Sequence, residues 1–408
     1  MRGMTESLTI GERVGFYRRR RGFSQEVLAG LVGRTTDWLS KVENGRIVLD
    51  RLSVIKSLAD QLDVQLGDLL DRPVLLDWTA DAKGSTVPAL REALMDYRQT
   101  SPLINRTRDE EPPDLAILRS QVGSAWSAYQ DSRYARATRL IPGILADAQR
   151  AVLGYDGEDH ERAQASLAMA YQGAAMVLTK IGEADLAWIA ADRGLTAAHA
   201  SGDRVVTGSL FRSVTHCLLA NGRFAAARQL TADAGGWMQT GLADASPEYL
   251  SVYGTLFLAG AMAAARAEDR ATAQDFLKEA DETARRLGHD ANHMWTAFGP
   301  TNVEIHRVST AMELGDIQIV LDRGPRIDTS ALPIERRVRH TLEVARAHAA
   351  RSELDLALAL VLDAEELAPE QVRYHFVSRQ LVTKWIRHQR GRPNYRLTEL
   401  ARRLRVIH

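Results

Sequence analysis

Apolar residues recur along most of this chain at intervals of three and four, the spacing that gathers them on one face of a helix. Near the amino terminus Ile10, Val14 and Tyr17 form one such stripe, Leu28, Ala29 and Val32 a second, and Leu39 and Val42 a third. Leu52, Ile55, Leu58 and Leu62 form a fourth, while Val64, Leu66, Leu69 and Leu70 close the small core that these stripes predict. From about residue 115 the chain is rich in Ala and Leu, poor in Pro and almost continuously helical in period.

Residues 22–46 combine this pattern with punctuation. Ser24 is a good N-cap, and Glu26 places a negative charge in the first turn, where a helix dipole favours one. Gly33 stops that helix after Val32, and Thr35 can cap the next. Asn44 and Gly45, which tolerate a left-handed backbone, end the second helix, and Arg46 adds a cation beyond it. Thr36, Asp37, Ser40 and Lys41 then point away from the apolar side. A helix face of short polar side chains with one lysine suits the major groove of DNA.

These residues carry a resemblance to the Xre-type, lambda-repressor-like helix-turn-helix family from about Ile10 to Leu70. Its Ser-Gln-x-x-Leu-Ala pattern is present as Ser24, Gln25, Leu28 and Ala29, its Glu-x-Gly as Glu43 and Gly45, and its preceding arginine as Arg18. The resemblance implies a five-helix domain, an internal ion pair between Arg18 and Glu43, base-edge contacts from Thr36, Asp37 and Lys41, and phosphate contacts from Gln25, Ser40, Asn44 and Arg46. With Arg19 and the caps Ser24 and Thr35, these form the expected DNA-facing set. Trp38, bulky for that face, either packs on the helix or inserts beside a thymine methyl. Residues 1–76 hold 12 Lys and Arg against 10 Asp and Glu, so the head is mildly basic and a dimer on an inverted-repeat operator is expected to supply affinity.

Self-comparison of the long second part shows a repeated unit, in which a turn residue is followed five positions later by a small or β-branched one. The pairs are Ser132 and Ala137, Gly182 and Ala187, Gly222 and Ala227, Glu268 and Ala273, Gly315 and Val320, and Ser352 and Ala357. This spacing resembles a tetratricopeptide-type array of helical hairpins. Phe257, Gly260, Ala261, Ala264, Ala273, Leu277 and Ala280 fall at that family's packing positions, as do Ala357, Val361 and Ala364, with Pro369 terminating the last unit. The fifth unit is irregular, with Glu304 and Arg307 where apolar residues belong. The family's groove positions project onto Trp126 and Tyr129, Gln172 and Met176, Arg212 and His216, Met262, Asn302, and Arg339 and Arg346, a set that suits a peptide or small-molecule ligand.

The expected organisation is all-α. A helix-turn-helix head spans residues 1–72, a linker with one helix near Val87 to Tyr97 spans 73–114, a hairpin array spans 115–369, and capping or dimerisation helices span 370–408, with Glu370 to His388 read as one helix. The 408 residues are formally neutral overall, and the single cysteine, Cys217, rules out an intramolecular disulfide framework and reads as an inert buried thiol. No signal-like or membrane-spanning run is evident, so a cytoplasmic protein without membrane contact is expected. No cofactor or metal is expected: His289 and His293, four apart, lack accompanying carboxylates, and no catalytic motif is present. The architecture resembles the bacterial peptide-receptor regulators called the RRNPP group. That resemblance implies a homodimeric regulator whose array senses a signal; the alternative is an array that docks a protein partner.

Overall fold

The computed structural model describes residues 8–64, 66–70, 86–96, 111–388 and 394–407, and among these the chain is all-α. The head comprises α1 (Ile10–Arg20), α2 (Gln25–Leu31), α3 (Thr36–Glu43), α4 (Leu52–Leu62) and α5 (Leu66–Leu69). Its caps form as the sequence predicts: the Ser24 hydroxyl accepts from the Val27 amide and that of Thr35 from the Trp38 amide, and Gly33 and Gly45 adopt positive φ. Leu28, Leu39, Val42, Ile55, Leu58 and Leu62 are fully buried between the helices.

Six helical hairpins follow, α7/α8 (Leu115–Gln130, Tyr134–Gly154), α9/α10 (Gly157–Ile181, Ala184–Ala200), α11/α12 (Arg204–Ala220, Phe224–Gln239), α13/α14 (Pro247–Arg266, Arg270–Leu287), α15/α16 (Pro300–Leu314, Ile317–Arg323) and α17/α18 (Ile334–Ala350, Leu354–Leu367). Between them and the head lies α6 (Thr86–Met95). All six turn residues identified from the repeat have positive φ: Ser132, Gly182, Gly222, Glu268, Gly315 and Ser352. Their partners Ala137, Ala187, Ala227, Ala273, Val320 and Ala357 are all buried. A left-handed residue reverses the chain, and a small or compact side chain five positions later lets the returning helix approach. From the second hairpin to the sixth, the first helix of each packs on the first helix of its neighbour, and second helices wedge between them. The irregular fifth unit keeps its turn, but α16 has only 7 residues; Glu304 and Arg307 face each other across 2.9 Å, and Arg307 also reaches Asp281.

One expectation needs correction. The stretch 370–388 is not one helix: α19 (Pro369–Tyr374) and α20 (Phe376–His388) are separated at His375, whose extended backbone turns its ring into the interior. Helix α6 forms near the expected stretch and is docked: Val87, Leu90 and Leu94 are buried, Arg91 pairs with Glu183 at 2.9 Å, and α6 packs on α8 and α10. His289 and His293 lie in a connection with a short 3-10 turn at His293–Trp295, so no helix face aligns them. The charged stretch from Asn105 lies outside the described residues up to residue 110. A last helix, α21 (Tyr395–Arg403), packs on α20 and pairs Arg403 with Glu365 of α18 at 2.6 Å. Among the described residues no helix is long and apolar enough to cross a membrane.

The array closes on itself. Helix α17 of the sixth hairpin touches α7 of the first, Lys180 of α9 pairs with Glu335 of α17, and the Ser132 hydroxyl donates to Gln371 at 2.6 Å. Gln371 in turn donates to the Glu335 carbonyl at 2.9 Å, and Glu370 accepts from the Ala135 amide at 2.8 Å. The connection between α14 and α15 crosses the interior, where Asn292 and Gln130 exchange amide hydrogen bonds of 2.8 and 2.9 Å and Trp295 stacks on Trp126.

Helices α1 and α3 approach so closely that a Cβ on Gly11 would lie 2.0 Å from the Val42 carbonyl oxygen. Because that obstacle is backbone, Gly11→Ala must push the recognition helix outward. We expect a loss of about 1–3 kcal/mol in head stability, read as a lowered unfolding midpoint in thermal or denaturant melts of the full chain.

Candidate DNA interface and the cavity behind it

The geometry of the head follows from one side-chain cluster. Arg18 of α1 donates from Nε and Nη2 to the two carboxylate oxygens of Glu43 at 2.6 and 2.8 Å, and from Nη1 to the Phe23 carbonyl at 2.8 Å. Gln25 at the start of α2 donates to the same carboxylate at 2.9 Å. Burial raises the Glu43 pKa, but the bonds from Arg18 and Gln25 outweigh it and hold the carboxyl below its ordinary value. A bidentate, nearly buried pair fixes the angle between α1 and α3 as well as their distance.

The outward face of α3 is open. Thr35, Thr36, Asp37, Asn44 and Arg46 are exposed, as are Arg19 and Ser24, while Gln25, Ser40 and Lys41 are half-buried. Lys41 is held by Asp37 one turn earlier at 2.6 Å, and Asn44 donates to the Ser40 carbonyl at 2.8 Å. Trp38 is half-buried with the Arg34 guanidinium 5.5 Å from its ring centre.

Behind the head lies a cavity of about 800 Å³. Seven of the ten projected groove residues line it: Trp126, Tyr129, Met176, Arg212, His216, Met262 and Arg339. The other three do not. Gln172 is buried and donates to Ser209 and Ser213, Asn302 is buried within α15, and Arg346 is committed to the head. Sequence reasoning missed Lys180, Trp295, Glu335, Arg336 and His375, and it missed that Leu52, Lys56, Val64, Leu66, Gly67 and Leu70 of the head form one wall. Nothing local marks these residues, since array closure and head docking bring them together.

The head is seated by ionic contacts. Arg346, 1% exposed, donates to the Asp50 carbonyl at 2.5 Å and lies 3.5 Å from Glu313 and 3.4 Å from Glu343. Arg51 reaches Glu268 at 3.2 Å and donates to the Glu313 carbonyl at 3.1 Å, while Ser53 donates to Glu268 at 3.2 Å. At the opposite edge Arg387 of α20 pairs with Glu12 of α1 at 2.9 Å.

The interior is electropositive. Burial lowers the Lys180 pKa to about 8 despite the pull of Glu335, and lowers that of Arg212 to about 10, leaving both charged at neutral pH. Burial, reinforced by surrounding cations, holds His216 well below its ordinary value and His375 at about 3, so both rings are neutral. Burial also pushes the Cys217 thiol up to about 12, as befits an inert core side chain.

A histidine whose folded pKa is depressed leaves the unfolded chain holding the extra proton below pH 6.5, so stability is lost as pH falls through that value. Each such group contributes a slope of about 1.4 kcal/mol per pH unit. Unfolding free energies measured at pH 7 and pH 5 are expected to differ accordingly, and His375→Gln to flatten the dependence by one group's share.

Residues 9–72 match a family model described as "Helix-turn-helix domain". No curated protein matches the chain. Among solved structures, that of Bacillus thuringiensis PlcR in complex with the peptide PapR7 and DNA is similar at 13% identity and a TM-score of 0.36, over 85% of this chain and 99% of that one. The amino-terminal head of this chain is a helix-turn-helix domain.

Proposed function

We propose that this protein is a sequence-specific DNA-binding transcription regulator, not an enzyme, whose helical array senses a peptide or small molecule and thereby modulates operator binding. The observation that carries the sensing half is the shared cavity: α4, α5 and their flanks form one wall, and the array helices form the rest. A ligand seated there touches both the sensor and the DNA-binding head, so any ligand that prefers one seating of the head shifts its orientation. The volume of about 800 Å³ falls within the usual range for small-ligand sites. The head covers the interior face that a docked protein would need, which favours a ligand over a protein partner.

In the DNA-binding half, Thr36, Asp37 and Lys41 face base edges, and Gln25, Ser40, Asn44 and Arg46 face phosphates. Lys41 must leave Asp37 to reach a base, so part of its binding energy replaces an existing exposed ion pair, worth little in water. Two copies on an inverted repeat supply the affinity that a mildly basic head lacks.

Two measurements test this reading. Genomic DNA captured by the full chain, with and without a peptide-and-metabolite extract of its own cells, is expected to yield an inverted repeat whose occupancy changes with extract; an operator indifferent to extract rejects the sensor. On that operator, Lys41→Ala is expected to cost about 1–3 kcal/mol of discrimination against substituted bases. Arg46→Ala is expected to weaken all sequences alike and reduce the salt slope by about one. Unchanged binding in both variants rejects the docking.

A further inference from the structure

Seven lysine or arginine side chains line the cavity against two carboxylates, Asp185 and Glu335. Lys56 and Arg266 are neutralised by Asp60 and Glu313, and Arg223 and Asp185 are both exposed, so they offset each other at the rim. Four cations remain around one carboxylate: Lys180, Arg212, Arg336 and Arg339 around Glu335. Lys180 pairs with Glu335 directly, and Arg336 stands 3.9 Å from it. The group therefore carries a formal excess of three positive charges.

Arg212 is the informative member. Its side chain lines the cavity at 4% exposure, and its Nε and Nη2 have no hydrogen-bond partner among the described residues. Leaving buried charged donors unpaired is among the costlier arrangements a fold can retain. A guanidinium presents those two donors as a planar fork that matches the two oxygens of a carboxylate or phosphate. Much of the remaining lining is apolar or aromatic, interspersed with Gln130, Thr179, His216, Asn221 and His375. Trp126 and Trp295 stack with ring centres 5.5 Å apart, and Tyr129, Met176, Met262 and Phe376 also face the space.

We propose that this cavity binds a small organic anion with at least two negative charges on an aromatic or apolar body, anchored bidentately by Arg212 and balanced by Lys180, Arg336 and Arg339. The proposal rests on the reading of the cavity as the sensor's ligand site and names the ligand's chemistry. Carboxylate and phosphate satisfy the fork equally, and the probes separate them.

The test is calorimetric titration of the full chain with 1-naphthyl phosphate, 2,6-naphthalenedicarboxylate, uncharged 2-naphthol and inorganic pyrophosphate. One or both naphthyl anions are expected to bind at least tenfold more tightly than naphthol, which lacks charge, and than pyrophosphate, which lacks a body. Naphthol binding as tightly as the anions overturns the charge requirement, pyrophosphate binding as tightly overturns the aromatic one, and no binding by either naphthyl anion overturns the site. Arg212→Met is expected to lower anion affinity at least tenfold while leaving the melting temperature of the free protein unchanged or raised, because it removes an unpaired buried charge. Arg339→Gln, at a half-buried position, is expected to weaken the anions without unfolding the protein; undiminished affinity in both variants rejects the assignment. Operator affinity measured in the same titrations separates the two readings. Anion binding that leaves operator affinity unchanged keeps this site and rejects the sensor, whereas response to cell extract without anion binding rejects this site alone.

Discussion

The ion pair between Lys180 and Glu335 joins the second hairpin to the sixth, and the cavity depends on it. A buried pair is costly to desolvate and persists only where further hydrogen bonds support it. Arg336 stands 3.9 Å from the Glu335 carboxylate, and the residue's backbone carbonyl accepts from Gln371, whose side chain accepts from Ser132. Those bonds tie the start of the array to its end, so the inner helices enclose a space where an open stack would leave a trough. The head then covers this space because Arg346, buried in the last hairpin, finds the Asp50 backbone carbonyl as an acceptor. Two cations, one closing the array and one seating the head, convert a linear run of repeats into a chamber with a DNA-binding wall.

Much of this was legible in the sequence where the physics is local. The head could be read from caps and stops, because a Ser or Thr hydroxyl bonding an amide three residues on involves only neighbours. The six array turns were equally legible: each needs one residue in the left-handed region and one small or compact residue five positions later, and both signals lie within six residues of sequence. The pairing of Arg18 with Glu43 came from resemblance, since 25 residues separate them and no periodicity connects them.

Long-range assembly was not legible. Helical period places Gln172, Asn302 and Arg346 on the inner side of their helices, as it does Arg212 and His216, but period carries no information on depth. Gln172 is spent on Ser209 and Ser213, and Arg346 on the head, whereas Arg212 remains open to the cavity. Trp295 escaped notice because it lies in a connection outside the repeat, where Met294, Trp295 and Ala297 all have positive φ. Such conformations in residues with side chains are held only by surrounding contacts, which here include the amide exchange between Asn292 and Gln130. The helix break at His375 was hidden for a related reason, since local propensity favours a continuous helix while the interior takes up the ring.

That the head forms a wall of the chamber has a consequence for how such a molecule would be calibrated. Binding free energies linked through a shared conformation are reciprocal: whatever factor a ligand applies to operator affinity, the operator applies to ligand affinity. A copy resting on its operator and a copy free in solution would then have different thresholds for the same signal. The number of operators in the genome, relative to the number of protein copies, would become part of the dose-response curve. Sensitivity would be a property of the promoter set as much as of the cavity.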